Sequence, residues 1–212
     1  MCFNYQVSLF TFSIGVIFSI FLIKYGNTKY SLENKVFGIF LIFISSIQFM
    51  DFLFWIDIKN KFGINKITTI LGPILNIGQP TILYLIKYYY YKPNIFVLDN
   101  FNSPVAILNL LYFIYFIKMY LTFLLNDKLV TSTKNNHLYW PWSKYFNGFY
   151  FLILSAVNIF YLFSFKYGLL LFIIVYFFLF ISVKYFYYNA GELWCFFGSF
   201  IPLIVYFTSF HI

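Results

Sequence analysis

Hydrocarbon makes a buried ionisable or amide group costly unless it serves a pair, a ligand or a neighbouring helix, so such groups inside apolar segments are where this 212-residue chain could do chemistry. Gln48, Asp51 and Trp55 recur at i, i+3 and i+7, which lays them along one helical face. Gly72, Asn76, Gln79 and Pro80 follow at i, i+4, i+7 and i+8, and Glu192, Cys195, Ser199 and Pro202 at i, i+3, i+7 and i+10. With a rise of about 1.5 Å per residue, Asp51 falls roughly 8 Å below the membrane surface nearest the amino terminus, and Lys118 roughly 10 Å below the same surface. A carboxylate and an ammonium at equal depth offset each other's burial, so an Asp51–Lys118 pair is expected. Gln48, Asp51, Asn76, Gln79, Lys118 and Glu192 together outline a polar cavity opening toward the amino-terminal face, suited to a small molecule or an ion.

Each of these groups also has a plainer use. Gln48, Asn76 and Gln79 can serve as interhelical glue, each worth about 0.6–2 kcal/mol. Lys118 can snorkel along its helix to the interface, and Glu192 suits the start of a helix, where the macrodipole favours an acid. Cys2 and Cys195 either form a disulfide on an oxidising face or stay as two buried thiols.

Several chemistries are missing. His137 lies in a loop and His211 beyond the last apolar segment, so no span carries an imidazole and a zinc-dependent lipid hydrolase has no ligands here. The last segment has no Lys, which removes the Schiff-base position of a retinal protein, and there is no GxSxG, HExxH or phosphate-cradling glycine loop. The reading is non-enzymatic, with no cofactor and no metal site; the one enzymatic alternative is a carboxylate site built from Asp51 and Glu192.

The elements that must position these residues are apolar spans. The chain is 62% hydrophobic and 9% charged, outside the range of soluble domains. Its cations are all Lys, and Phe, Tyr, Ile and Asn are in excess, a bias of AT-rich codons. The +8 charge is dispersed over loops and segment ends, which suits anionic lipid headgroups and lacks the basic stretches of a nucleic-acid binder. Seven spans are expected, at 7–23, 36–56, 67–86, 105–125, 146–165, 167–183 and about 194–210, each near the length of a bilayer core. The first lacks a cleavage site and reads as a retained span rather than a signal peptide. Trp55, Trp140, Trp142 and Trp194 read as interfacial belt residues.

The third span, ITTILGPILNIGQPTILYLI, carries Pro73 and Pro80 and must be surrounded by protein or line a wet cavity, because hydrocarbon cannot satisfy the carbonyls a proline frees. The expected fold is all-α: residues 1–212 form a single integral membrane domain, a seven-helix transmembrane bundle with a proline-kinked third helix at its centre. Lysines divide almost evenly between its two faces (Lys59, Lys61, Lys66, Lys128, Lys134, Lys144 and Lys184 against Lys24, Lys29, Lys35, Lys87, Lys92 and Lys166), so they do not set the orientation. A three-plus-one-plus-three repeat, as in small sugar transporters, finds support only in the prolines of GPIL and IPLI.

The opening MCFNYQ, the block QFMDFLFW, the GQP of the third span and the late GELWCFFG resemble a family of small uncharacterised multi-pass membrane proteins of giant DNA viruses and protists. The matching positions are Cys2, Gln48, Asp51, Gln79, Pro80, Trp194 and Cys195; where that family carries Glu, this chain has the shorter Asp51. The resemblance implies a virus-encoded protein of a host or virion internal membrane and no particular activity. Two functions remain open: a transporter- or sensor-like bundle with a polar cavity, acting on a small molecule or ion, and a structural membrane protein whose polar stripes serve only helix packing.

Overall fold

The computed structural model describes residues 4–91, 102–134, 137–186 and 190–211. Helix α1 (Tyr5–Tyr25) begins at Asn4, whose side chain accepts the Val7 N–H at 2.9 Å, and closes at Gly26. Helix α2 (Ser31–Ile56) returns antiparallel to it, and the loop 57–63 leads into α3 (Ile64–Ile77) and α4 (Gln79–Tyr91). Helix α5 (Asn102–Asn126) is followed by a short hairpin, β1 (Ser132–Lys134) with β2 (His137–Tyr139), and a 3-10 turn over Pro141–Tyr145. Helices α6 (Gly148–Leu162), α7 (Phe165–Phe186), α8 (Ala190–Gly198) and α9 (Ile201–Thr208) complete the chain.

The helical character expected from hydropathy is present throughout, and the segments fall where the apolar runs lie. Four helices, α1, α2, α5 and α7, are long and apolar enough to cross a membrane, and the α3–α4 pair makes a fifth if its bent halves form one span. Helix α6, at 15 residues, rises only about 22 Å, short of a ~30 Å hydrocarbon core. The outer faces fit a lipid solvent: on α5, Ile107, Leu110, Leu111, Ile114, Leu121 and Leu125 are all exposed.

The centre of the bundle is α2 rather than the third segment. Its most apolar window is 56% buried against 28% for α1, α5 and α7, and it packs on α1, α3, α4, α8 and α9. Close approach to α1 follows from small residues. Ser8, Thr11, Gly15, Ser19 and Leu22 form the buried stripe of α1, and a Cβ at Gly15 would overlap Ser45 Oγ of α2.

The tryptophans of the long connection are not belt residues. Trp140 and Trp142 are 5% and 2% exposed and stack at 5.4 Å. Trp142 packs against Phe54 of α2, Phe123 of α5 and the backbone of Gly72, where any side chain would collide with the indole. The hairpin and its following turn thus fold inward and plug one end of the bundle, because two indoles gain more from burial than from a place at the interface.

Candidate functional site

The third apolar segment breaks at Gly78, and its halves diverge by 66°. Pro73 sits inside α3 without ending it, whereas Pro80 occupies the first turn of α4, a position where a missing N–H costs little. The expected kink is therefore a break, two residues before the second proline. Residues 77–80 are all buried, so the carbonyls released there cannot reach solvent. Side chains of α5 and α6 reach them instead. Tyr112 donates its hydroxyl to Ile77 O at 2.8 Å and Asn158 donates Nδ2 to Pro80 O at 2.8 Å; about two turns earlier in α3, Tyr120 reaches Ile70 O at 3.1 Å.

Asn158 is itself held by Asn109. Each carboxamide donates to the other's oxygen, at 2.9 and 3.1 Å, and Asn109 spends its second N–H on Val105 O. Both residues are buried, at 3% and 0% exposed, and every polar atom of the pair is used. The sequence reading missed this pair: an amide within each of two apolar segments was the available signal, but nothing in either segment gave the register.

Beside the break lies a largely enclosed cavity of about 50 Å³, walled by Ile44 of α2, Gln79 and Pro80 of α4, Ser155 of α6 and Cys195 of α8, with Gly198 at the far side. The last apolar segment also breaks here. Ser199 and Phe200 leave α-helical bonding for i→i−3 bonds, at 3.2 and 2.9 Å, before Pro202 opens α9. Two discontinuous helices therefore meet on one apolar chamber in which Gln79 supplies the carboxamide. An outer groove of about 360 Å³ between α5 and α6 is lined in part by Tyr112, Tyr115 and Tyr150.

Of the six candidate residues, the five whose side chains are described stand in different surroundings. Gln79 lines the cavity, 6% exposed. Gln48 is buried but turned to α1, its Oε1 3.0 Å from the Thr11 hydroxyl. Asp51 is fully buried one turn further along α2. Lys118 lies exposed on α5 and forms no ion pair among the described residues, so the expected pair with the buried Asp51 is not made. Asn76 is half-buried on α3. Glu192 falls in the first turn of α8, but its side chain lies outside the described residues, as does Cys2, so neither the cavity role of the one nor the disulfide of the other is placed. Cys195 is 5% exposed. Trp194, half-buried, donates its indole N–H to Val175 O at 3.3 Å and meets Phe151 edge-on.

Two polar clusters at the plugged end escaped the sequence reading. Asn65 pairs with the Thr131 backbone as a strand would, donating to its carbonyl at 2.8 Å and accepting its N–H at 2.8 Å, while the hydroxyls of Thr69 and Thr131 meet at 2.9 Å. Asp57 closes the loop after α2. Its carboxylate accepts backbone N–H groups of Lys61 at 2.6 Å, Ile64 at 2.9 Å, Phe62 at 3.2 Å and Asn65 at 3.3 Å, which caps the start of α3. Gly63, at φ +73°, takes the left-handed turn this wrapping needs. Burial pushes the Asp57 carboxyl up, but the four N–H groups outweigh it and hold its pKa below the ordinary value of 3.8. Beside this cap, Lys144 pairs with Asp127 at 2.6 Å.

Compared with known proteins, the chain matches no family model, no curated protein and no solved structure.

Proposed function

We propose that all seven apolar segments cross the bilayer, the third as α3–α4 and the seventh as α8–α9, and that the protein is a non-enzymatic, transporter- or sensor-like bundle. The observation that supports this reading is the convergence of both helix breaks on one cavity. Broken helices at membrane depth leave backbone groups that must be re-satisfied, and membrane transport proteins use such breaks to build binding sites near the midplane. Here the α3–α4 break is held by two side-chain donors, and Gln79 and Cys195 line the chamber. At about 50 Å³ the chamber is closed to any sizeable solute, so the arrangement is the shut state of a site that opens when α4 and α9 swing away from α6.

Cys195 gives the test. In a Cys2→Ser background, a membrane-permeant maleimide is expected to label Cys195 in the folded protein at a measurable rate, and Asn158→Ala, which loosens the break, is expected to raise that rate. Labelling that appears only on global unfolding, in both proteins, would contradict the reading. A structural role is the second reading, favoured by the saturated Asn109–Asn158 pair, whose function is complete without a ligand.

A further inference from the structure

A second interior region, about one helical turn along α2 from the cavity lining, has polar atoms without partners. Antiparallel packing sets Gly15 of α1 against Ser45 of α2, and Thr11 against Gln48, so the two helices share a polar seam. Ser199, at the α8–α9 break, closes the seam, its Cα 3.4 Å from where a Gly15 Cβ would stand. Ser45, Gln48 and Ser199 are 0%, 2% and 0% exposed, and among the described residues Ser45 Oγ, Ser199 Oγ and one end of the Gln48 carboxamide have no hydrogen-bond partner. Leaving buried polar atoms unsatisfied is costly, and three converging at one crossing mark a place where a small polar species is bound.

The chemistry of that species follows from the hydrogens available. The Thr11 hydroxyl lies 2.9 Å from Val7 O, 3.1 Å from Ser8 O and 3.0 Å from Gln48 Oε1, with a single hydrogen for three acceptors. Turning the Gln48 carboxamide by a half-rotation lets its Nε2 donate to Thr11, whose own hydrogen goes to the helix backbone. The oxygen of Gln48 then joins Ser45 Oγ and Ser199 Oγ as the third oxygen on the seam. Asp51, fully buried three residues further and about 4.5 Å along the helix, supplies a carboxylate to the same face. At Ser199 the i→i−3 bonding also deprives carbonyls at the break of their usual α-helical donors. Neutral oxygens with one nearby carboxylate suit a hard, weakly charged cation; among the described residues no three His, Cys, Asp or Glu side chains assemble as a transition metal would need.

We infer that the α1–α2–α9 crossing binds a sodium-sized cation through Ser45, Gln48 and Ser199, with Asp51 balancing its charge. The orphaned atoms that define this site are those of the closed arrangement, so the cysteine-labelling experiment can fail while the cation site stands.

The test is thermal unfolding of the detergent-solubilised full chain at constant ionic strength, with sodium chloride exchanged for potassium or choline chloride. Sodium is expected to raise Tm saturably, by about 2–4 °C for the free energy that tenfold excess over Kd supplies. Ser199→Ala and Ser45→Ala are expected to shift the half-saturating sodium concentration upward at least tenfold, and Gln48→Leu to abolish the response. Should Gln48→Leu fail to fold, the two serine variants carry the decision. Equal Tm in all three salts would show that the seam holds water alone, and a sodium response unchanged in the serine variants would place the cation elsewhere; either result overturns the inference.

Discussion

Among single side chains, the paired carboxamides of Asn109 and Asn158 do the most to hold the interior. Removing one leaves its partner's amide and Pro80 O unsatisfied in a place water does not reach. Asn158→Leu is therefore expected to destabilise the protein by about 1–3 kcal/mol, measured by unfolding in mixed detergent, and the Asn109→Leu/Asn158→Leu double variant by less than the sum of the singles, because both partners then leave together. Additive losses would show that the pair is not coupled. Gly72→Val drives a side chain into the Trp142 indole and is expected to cost about 1–3 kcal/mol, seen as a lower unfolding midpoint and a shifted tryptophan emission. Asp57 carries a pH dependence. Its folded-state pKa is lowered, so its contribution is complete above the unfolded value of 3.8 and is lost as pH falls through the lower folded value. Amide exchange at Lys61, Phe62 and Ile64 is expected to speed up in that acidic window in the wild type, and to be fast already at pH 7 in Asp57→Ala.

Among elements, the sequence told where helices lie and little of how they join. Helices lie along each of the expected apolar runs, four of them, or five with the bent α3–α4 pair, long and apolar enough to cross a membrane, since hydropathy acts on each segment by itself. The prolines of GPIL and GQP marked the third segment as irregular, and the need to surround it with protein is met by Tyr112, Tyr120 and Asn158. What stayed hidden depends on register between segments. Gln48 was legible as a buried amide, but its partner Thr11 belongs to a stripe of small residues on α1, Ser8, Thr11, Gly15 and Ser19, whose spacing is plain only once a helix is known to face it. The Lys118–Asp51 pair was expected from depth counted along the sequence alone, which says nothing of direction around a helix: Asp51 turns inward and Lys118 outward. Trp140 and Trp142 looked interfacial because composition cannot tell a loop that lies on the bilayer from one that folds into the bundle. That plug has a consequence. Trp142→Ala is expected to loosen the hairpin together with α3, raising proteolysis at 127–147 without changing helix content by circular dichroism; a change in helix content of the whole chain would mean that the plug nucleates the fold rather than sealing it.

For the whole molecule, the account stands on how many times the chain crosses the membrane. Helices α1, α2, α5 and α7 are long enough by themselves, and the bent α3–α4 pair adds a fifth crossing if it acts as one span. The two-fold break around one chamber has its proposed meaning only if α6 and α8–α9 cross as well. Helix α6 is short, but Asn158 near its middle engages a residue of the third segment's break, and its far end meets α7 after two residues, as a crossing followed by a tight return requires. The most direct measurement is labelling of single cysteines by a membrane-impermeant maleimide in sealed, uniformly oriented vesicles, on a Cys2→Ser/Cys195→Ser background. Lys144→Cys and Lys166→Cys flank α6, and Lys184→Cys and His211→Cys flank α8–α9. The account expects Lys144→Cys and Lys184→Cys to label from one face and Lys166→Cys and His211→Cys from the other. Labelling of both members of either pair from the same face would remove a crossing and contradict the seven-span bundle.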